Sequence, residues 1–186
     1  MRIISGSARG TKLFTLEGIE TRPTLDRIKE SLFSIVQNKL IDAEILDLFA
    51  GSGALGLECL SRGAKFCIFS DSSKKAIGII NQNIEKTKMT DKSLVIQANF
   101  ENALKKVATQ EKKFDLIFLD PPYESNLIDK SIKIILELNL LKKEGIIIAE
   151  TDQLELLLDK IKELEIEIID IRKYGRVKLV FLNRKG

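Results

Sequence analysis

The chain has no histidine and only two cysteines, Cys59 and Cys67, in 186 residues. The first absence excludes histidine general acid/base catalysis, histidine-activated nucleophiles and histidine-ligated metals. Two thiols cannot close a tetrahedral zinc site without carboxylates, and their spacing fits no zinc pattern, so no metal is expected. A disulfide framework of the secreted kind is excluded as well. Three prolines and eleven glycines leave no room for a collagen-like or low-complexity chain. No apolar run approaches the ~18–20 residues of a membrane span. The opening residues lack the apolar stretch of a signal peptide, so a reduced, cytoplasmic location is expected.

What is present is an ordinary globular balance: 44% hydrophobic and 31% charged residues, at a length that suits one domain. The net charge is only +3, yet it is unevenly spread. Residues 1–12 carry Arg2, Arg9 and Lys12 and no acid. Residues 172–186 carry Arg172, Lys173, Arg176, Lys178, Arg184 and Lys185 and no acid, so the stretch between them is net acidic. Basic ends on an acidic body fit contact with a polyanion such as nucleic acid, and equally fit two solvated termini.

Residues 1–16 read as short strands around a glycine turn. Thr24 can cap a helix running to about Lys39, with Leu25, Ile28, Leu32, Ile35 and Val36 on its buried face. After Asp42 short apolar runs alternate with helical stretches. The runs are 45–49, 66–69, 94–96, 114–119, 146–149 and 166–171; the helices lie near 54–62, 73–88, 100–108, 126–139 and 152–163. This alternation predicts an α/β three-layer Rossmann-like sandwich with a mostly parallel sheet. Val177–Leu182 is expected to return as an antiparallel strand across Tyr174-Gly175. A soft boundary near residue 42 separates an N-terminal arm and helix, 1–41, from a sheet domain, 42–186.

Gly51-Ser-Gly-Ala-Leu-Gly56 follows the first strand and opens a helix. The glycines permit a tight turn and close approach of a ligand. By itself this pattern also fits a dinucleotide. Asp47, just before the loop, separates the two cases. A carboxylate there repels a pyrophosphate and suits the ammonium and sulfonium of S-adenosylmethionine (SAM), unless it merely caps loop N–H groups. Asp71, at the end of the second strand, is placed to accept from both ribose hydroxyls. Asn99 can reach an adenine edge or satisfy its own turn.

The fourth strand runs into Asp120-Pro121-Pro122-Tyr123. An exocyclic amine on a nucleobase is a poor nucleophile because its lone pair is delocalised. Asp120 can accept one N–H, and the Pro121 carbonyl, set by the Pro121–Pro122 pair, the other. Tyr123 offers a ring for stacking a flipped base. A plain strand-ending turn is the structural alternative for the motif.

With both motifs in order, the chain resembles class I SAM-dependent methyltransferases acting on nucleobase amines, and more closely the RsmD family. The segments that carry the resemblance are Thr21–Phe33, Asp47–Glu58 with Ser61-Arg-Gly63, and Phe118–Tyr123, together with Arg2-Ile-Ile-Ser-Gly and Lys173-Tyr-Gly175. The resemblance implies methylation of guanine N2 in 16S ribosomal RNA. It implies Asp47, Phe49, Gly51, Gly53, Asp71, Asn99 and Thr24 around SAM, with Asp120 to Tyr123 gripping the amine. Arg2, Arg9, Lys12, Arg22, Lys173 and Arg176 would meet RNA, and Arg22 and Arg27 could also meet the SAM carboxylate. The Ser-Asp at 70–71 departs from the apolar-Glu pair usual there. The partner expected is 16S rRNA in the small subunit or an assembly intermediate, met by a monomer. The rival readings are an adenine-N6 methyltransferase and a non-catalytic SAM- or RNA-binding assembly module.

Overall fold

The computed structural model describes residues 1–16, 23–122 and 126–186, with side chains in the first helix from Asp26 onward. Helix α1 spans Pro23–Val36 and a 3₁₀ turn carries it to Lys39. Proline at the first helical position suits its missing N–H. Thr24 therefore lies inside the helix and not at its cap. Ile28, Leu32 and Val36 are buried as expected, and so is Phe33. Ile35, expected on the same face, is exposed. The first sixteen residues form no ladder beyond a single antiparallel bridge, Arg2 to Lys12.

The sheet holds β1 (Glu44–Asp47), β2 (Phe66–Asp71), β3 (Ser93–Gln97), β4 (Phe114–Leu119), β5 (Leu141–Thr151), β6 (Ile166–Tyr174) and β7 (Val177–Arg184), in the order β3-β2-β1-β4-β5-β7-β6. β1 to β5 pair in parallel. β7 is antiparallel to both its neighbours and inserts between β5 and β6. The expected hairpin across Tyr174-Gly175 is there, but β6 is the edge strand. Its outer positions show it, since Ile168 and Ile169 are about half exposed. Those isoleucines satisfy strand propensity without being core.

Helices α2 (Ala54–Ser61), α3 (Lys74–Thr87), α4 (Phe100–Ala108), α5 (Ile128–Glu137) and α6 (Leu154–Ile161) connect the strands. Local chemistry starts two of them: Ser73 Oγ accepts from Ala76 N–H at 3.3 Å, and Asn99 Oδ1 from Asn102 N–H at 2.8 Å. Alternate residues of each central strand feed one of two cores. Ile45, Phe69, Phe118 and Ile148 pack on one face with Ile3, Leu13, Ile28, Leu32 and Phe33 from the arm and α1. Leu46, Ile68, Ile117 and Ile147 pack on the other with Ala103, Ile132 and Leu157.

Buried polar groups fasten the N-terminal arm to this frame. Glu58, fully buried on α2, accepts from the N–H groups of Ile4 and Ser5, from Arg62 Nε at 2.9 Å, and from Lys29 Nζ at 3.2 Å. Ser61 Oγ donates to the Ser5 carbonyl and accepts from Ala8 N–H. Asn83 accepts from Phe14 N–H and donates to the carbonyls of Phe14 and Ser52. The Tyr174 hydroxyl donates to Ser31, tying the C-terminal hairpin to α1. Each partner satisfies a group that would be costly to bury alone.

Candidate active site

The sheet order reverses between β1 and β4, and a cleft opens beyond their carboxyl ends. There Gly51 (φ 57°) and Gly53 (φ 78°) hold left-handed conformations that side chains disfavour. Gly56 has a packing role instead. A Cβ on it would meet Phe69 Cε1 at 2.3 Å and Cys67 Sγ at 2.6 Å, so only glycine lets α2 lie this close to β2.

The cleft is a cavity of about 680 Å³, within the size range of small-molecule sites. Gly51, Ser52, Asp71 and Asn99 line one side, and Asp120, Pro121, Pro122 and Glu150 the other. Ile28, Lys29 and Leu32 of α1 enter its wall, with Met1 and Leu16 from the arm. Its apolar lining includes Phe49, whose ring lies 6.1 Å from that of Phe100.

Four carboxylates stand along this cavity in strand order: Asp71 (β2), Asp47 (β1), Asp120 (just past β4) and Glu150 (β5). The register places them on one face. Asp47 pairs with Phe69 and Phe118, Phe118 pairs with Ile148, and Asp71, Asp120 and Glu150 each lie two residues further along. At ~4.8 Å per strand the row spans roughly 14 Å. Lys29 is the cationic side chain among the described lining residues, and it already serves Glu58 and the Arg2 carbonyl. Such a cavity repels a pyrophosphate and suits a ligand with cationic groups.

The individual environments differ. Asp47 is 2% exposed and accepts from Gly56 N–H at 3.1 Å. Burial pushes its carboxyl up to about 7; the Gly56 bond opposes the rise and the Asp71 charge adds to it. Asp71 is half-buried and accepts from Gly51 N–H at 3.0 Å and Ser73 N–H at 2.9 Å, so it holds the glycine loop in shape. Asp120 opens onto the cavity and is exposed by area. The dense protein around it, then the charges of Glu150 and Asp47, still raise its carboxyl well above the usual range.

Asn99 is exposed, with its oxygen taken by the cap of α4. Gly53 lies at the start of α2 behind the loop. Tyr123 and Arg22 fall outside the described residues, as does the Thr24 side chain, while Arg27 is exposed on α1. Arg9, Lys12 and Lys173 are exposed; Arg2 lies 3.7 Å from Asp26, and Arg176 lies 3.9 Å from Asp152. Cys59 and Cys67 are buried, and burial pushes both thiols up, away from reactivity. Outside the cleft, Lys112 lies 3.2 Å from Glu44 and Lys142 lies 2.7 Å from Asp115.

Sequence reasoning missed Lys29, Glu58, Asn83 and Glu150. The signal for Glu58 was a single acid inside an apolar helix, Ala-Leu-Gly-Leu-Glu-Cys-Leu. For Glu150 it was an acid ending the apolar run Ile146–Ala149.

This sheet order and site define a Rossmann-like SAM-dependent methyltransferase fold. A solved Escherichia coli protein assigned as a methyltransferase superposes with a TM-score of 0.83 at 29% identity, covering 100% of this chain and 98% of that chain. SMU.776 complexed with SAH shares the fold at a TM-score of 0.66 and 18% identity, over 81% of this chain and 49% of that one. Residues 1–183 match the family model described as Conserved hypothetical protein 95, and the chain belongs to that family, that of the RsmD proteins. The Ribosomal RNA small subunit methyltransferase D of Haemophilus influenzae is 39% identical over 154 residues, 82% of this chain and 79% of that protein. The protein of the same name from Escherichia coli K12 is 34% identical over 152 residues, 82% of this chain and 75% of its own length.

Proposed function

We propose that this protein transfers a methyl group from SAM to the exocyclic N2 of a guanine in 16S rRNA. The observation that carries the reading is the position of Asp120-Pro121-Pro122, which opens from the end of β4 onto a cavity floored by carboxylates. The names of the relatives support ribosomal RNA as the substrate. The choice of guanine N2 rests on the RsmD resemblance.

The residues fit the cofactor. Asp47, buried with one hydrogen-bond donor, gains a cationic partner from an ammonium or sulfonium. Asp71 keeps lone pairs for ribose hydroxyls beyond its two backbone bonds. Phe49 and Asn99 flank the adenine end, and Gly51 allows close approach. Bound SAM supplies an electrophilic methyl group.

Asp120 accepts one N–H of the target amine and the Pro121 carbonyl accepts the other. The two bonds draw the nitrogen toward a pyramidal shape and localise its lone pair. A bond to an ionised Asp120 contributes about 1.5–3 kcal/mol and one to the neutral Pro121 carbonyl about 0.5–1.5 kcal/mol. Fixing the amine in line with the methyl contributes more, of order 7–11 kcal/mol. The N–C bond would form as the methyl's bond to sulfur breaks and the thioether leaves, and the alkylated amine, now cationic and acidic, would give one N–H proton to solvent without a histidine base. Tyr123 stacks on the flipped base. Residues 1–41 cover the cofactor and 42–186 carry the chemistry. The exposed cations Arg2, Arg9, Lys12, Lys173 and Arg176, with Arg22, meet RNA phosphates. The protein acts as a cytoplasmic monomer on the small subunit or its assembly intermediate.

The test offers labelled SAM with unmodified 16S rRNA, small subunits lacking the modification, or duplex DNA, and identifies the nucleoside by mass spectrometry. N2-methylguanosine is expected from a ribosomal substrate. N6-methyladenine would move the reaction to the adenine class. No product with SAM still bound would favour a non-catalytic assembly role.

A further inference from the structure

Glu150 has no part in the reaction as described so far, yet it sits in the same row as the groups that do. β4 and β5 pair with Leu119 opposite Ala149, which sets Asp120 and Glu150 side by side at the edge of the sheet. Glu150 is half-buried and lines the main cavity. It also lines a smaller adjoining pocket with Pro121, Pro122, Thr151 and Gln153. A base whose amine is held by Asp120 therefore has Glu150 beside one flank of that amine.

The atom on that flank differs between bases. In guanine the 2-amino group is flanked by N1–H, a donor, and by N3, an acceptor, and a base entering with its N1 side toward β5 brings N1–H to Glu150. In adenine and cytosine the ring nitrogen beside the amine carries a lone pair, an acceptor. A carboxylate is acceptor-only when ionised. It completes a pair with guanine and repels the other two, so one residue both attracts the right base and rejects the wrong ones. The row across β1, β4 and β5 then runs from cofactor to amine to base edge.

We propose that Glu150 is the residue that selects guanine, accepting N1–H while Asp120 and the Pro121 carbonyl hold N2. The proposal rests on the guanine-N2 reading above and adds the means of base choice.

The test uses the full chain and small-subunit RNA carrying either guanine or 2-aminopurine at the position mapped in the wild-type product. 2-Aminopurine keeps the 2-amino group and replaces N1–H by a lone pair. Wild-type protein is expected to favour guanine at least tenfold in kcat/KM. In Glu150→Gln the guanine rate should fall roughly ten- to hundredfold, the strength of one charged hydrogen bond. The amide can donate to the 2-aminopurine ring nitrogen, so that rate should hold or rise and the preference for guanine should collapse. Glu150→Asp retains the acceptor and should keep the preference at a lower rate. Equal loss on both substrates, an unchanged guanine rate, or loss of preference in the Asp variant would overturn the proposal. Failure of the underlying reading is seen separately, as a wild-type product other than N2-methylguanosine.

Discussion

The ammonium of Lys29 lies 3.2 Å from the carboxylate of Glu58, with side-chain exposures of 6% and 0%. The pair joins α1 to α2 beneath the N-terminal arm, and Lys29 also forms part of the cavity wall. Burial lowers the lysine from its usual range, and Glu58 opposes that shift. In Lys29→Met the Glu58 carboxylate keeps Arg62 and the Ile4 and Ser5 N–H groups as partners. Loss of the one charged hydrogen bond is therefore expected to cost about 1.5–3 kcal/mol, read as a fall in the urea midpoint. A cost below 1 kcal/mol would show that the pair does not hold the arm.

Asp120 is expected to affect rate and not cofactor affinity. Asp120→Ala should lower kcat by about 10²–10³, the scale for losing one preorganised polar group at a reacting centre. SAM affinity by calorimetry should change little. Near-normal turnover would rule out activation of the amine by this carboxylate.

Asp47 is expected to make SAM affinity pH-dependent. Its carboxyl sits near 7 in the folded protein because of burial. A cationic ligand pairs with the ionised form, so affinity should rise from pH 5.5 to about 7 and level off above it. Below that point each pH unit costs up to about tenfold. Stability runs the opposite way. The folded state holds a proton that the unfolded state releases near 4, so the Asp47 contribution is fully present below about 4 and fades as pH rises through 7. Asp47→Asn should flatten both curves, and a binding profile that keeps its slope in that variant would assign the titration elsewhere.

Gly56→Ala should disrupt the packing of α2 on β2, since its Cβ would meet Phe69 and Cys67 well inside contact distance. A cost of about 1–3 kcal/mol is expected from overpacking. Combining it with Phe69→Leu should recover part of that loss, a coupling visible in a double-mutant cycle of thermal melts.

Contact with RNA through both basic ends should be salt-dependent. The affinity of the RNA substrate should fall with salt at a log–log slope set by the phosphates neutralised. Replacing Arg9 and Lys173, both exposed, by alanine should reduce the slope by roughly 0.7 for each lost contact to single-stranded RNA. An unchanged slope in the double variant would remove these ends from the interface.

The amino-acid sequence by itself determined the alternation of elements after Asp42, the glycine loop and the Asp-Pro-Pro edge. Periodicity and turn chemistry act over a few residues, so each is written locally. The helix and strand centres fell where apolar spacing placed them, while ends such as Leu141–Thr151 were set by pairing with neighbours. Only the tertiary structure decided that β7 enters between β5 and β6, because strand order depends on contacts between distant segments. It also decided that Ile35, Ile168 and Ile169 face solvent, and that Glu58 and Asn83 reach back 54 and 69 residues to hold the arm. The cavity shows the same division. Asp47 and Asp120 were legible from their motifs, but their raised carboxyl groups and the place of Glu150 beside them come from burial and register, which no local pattern encodes.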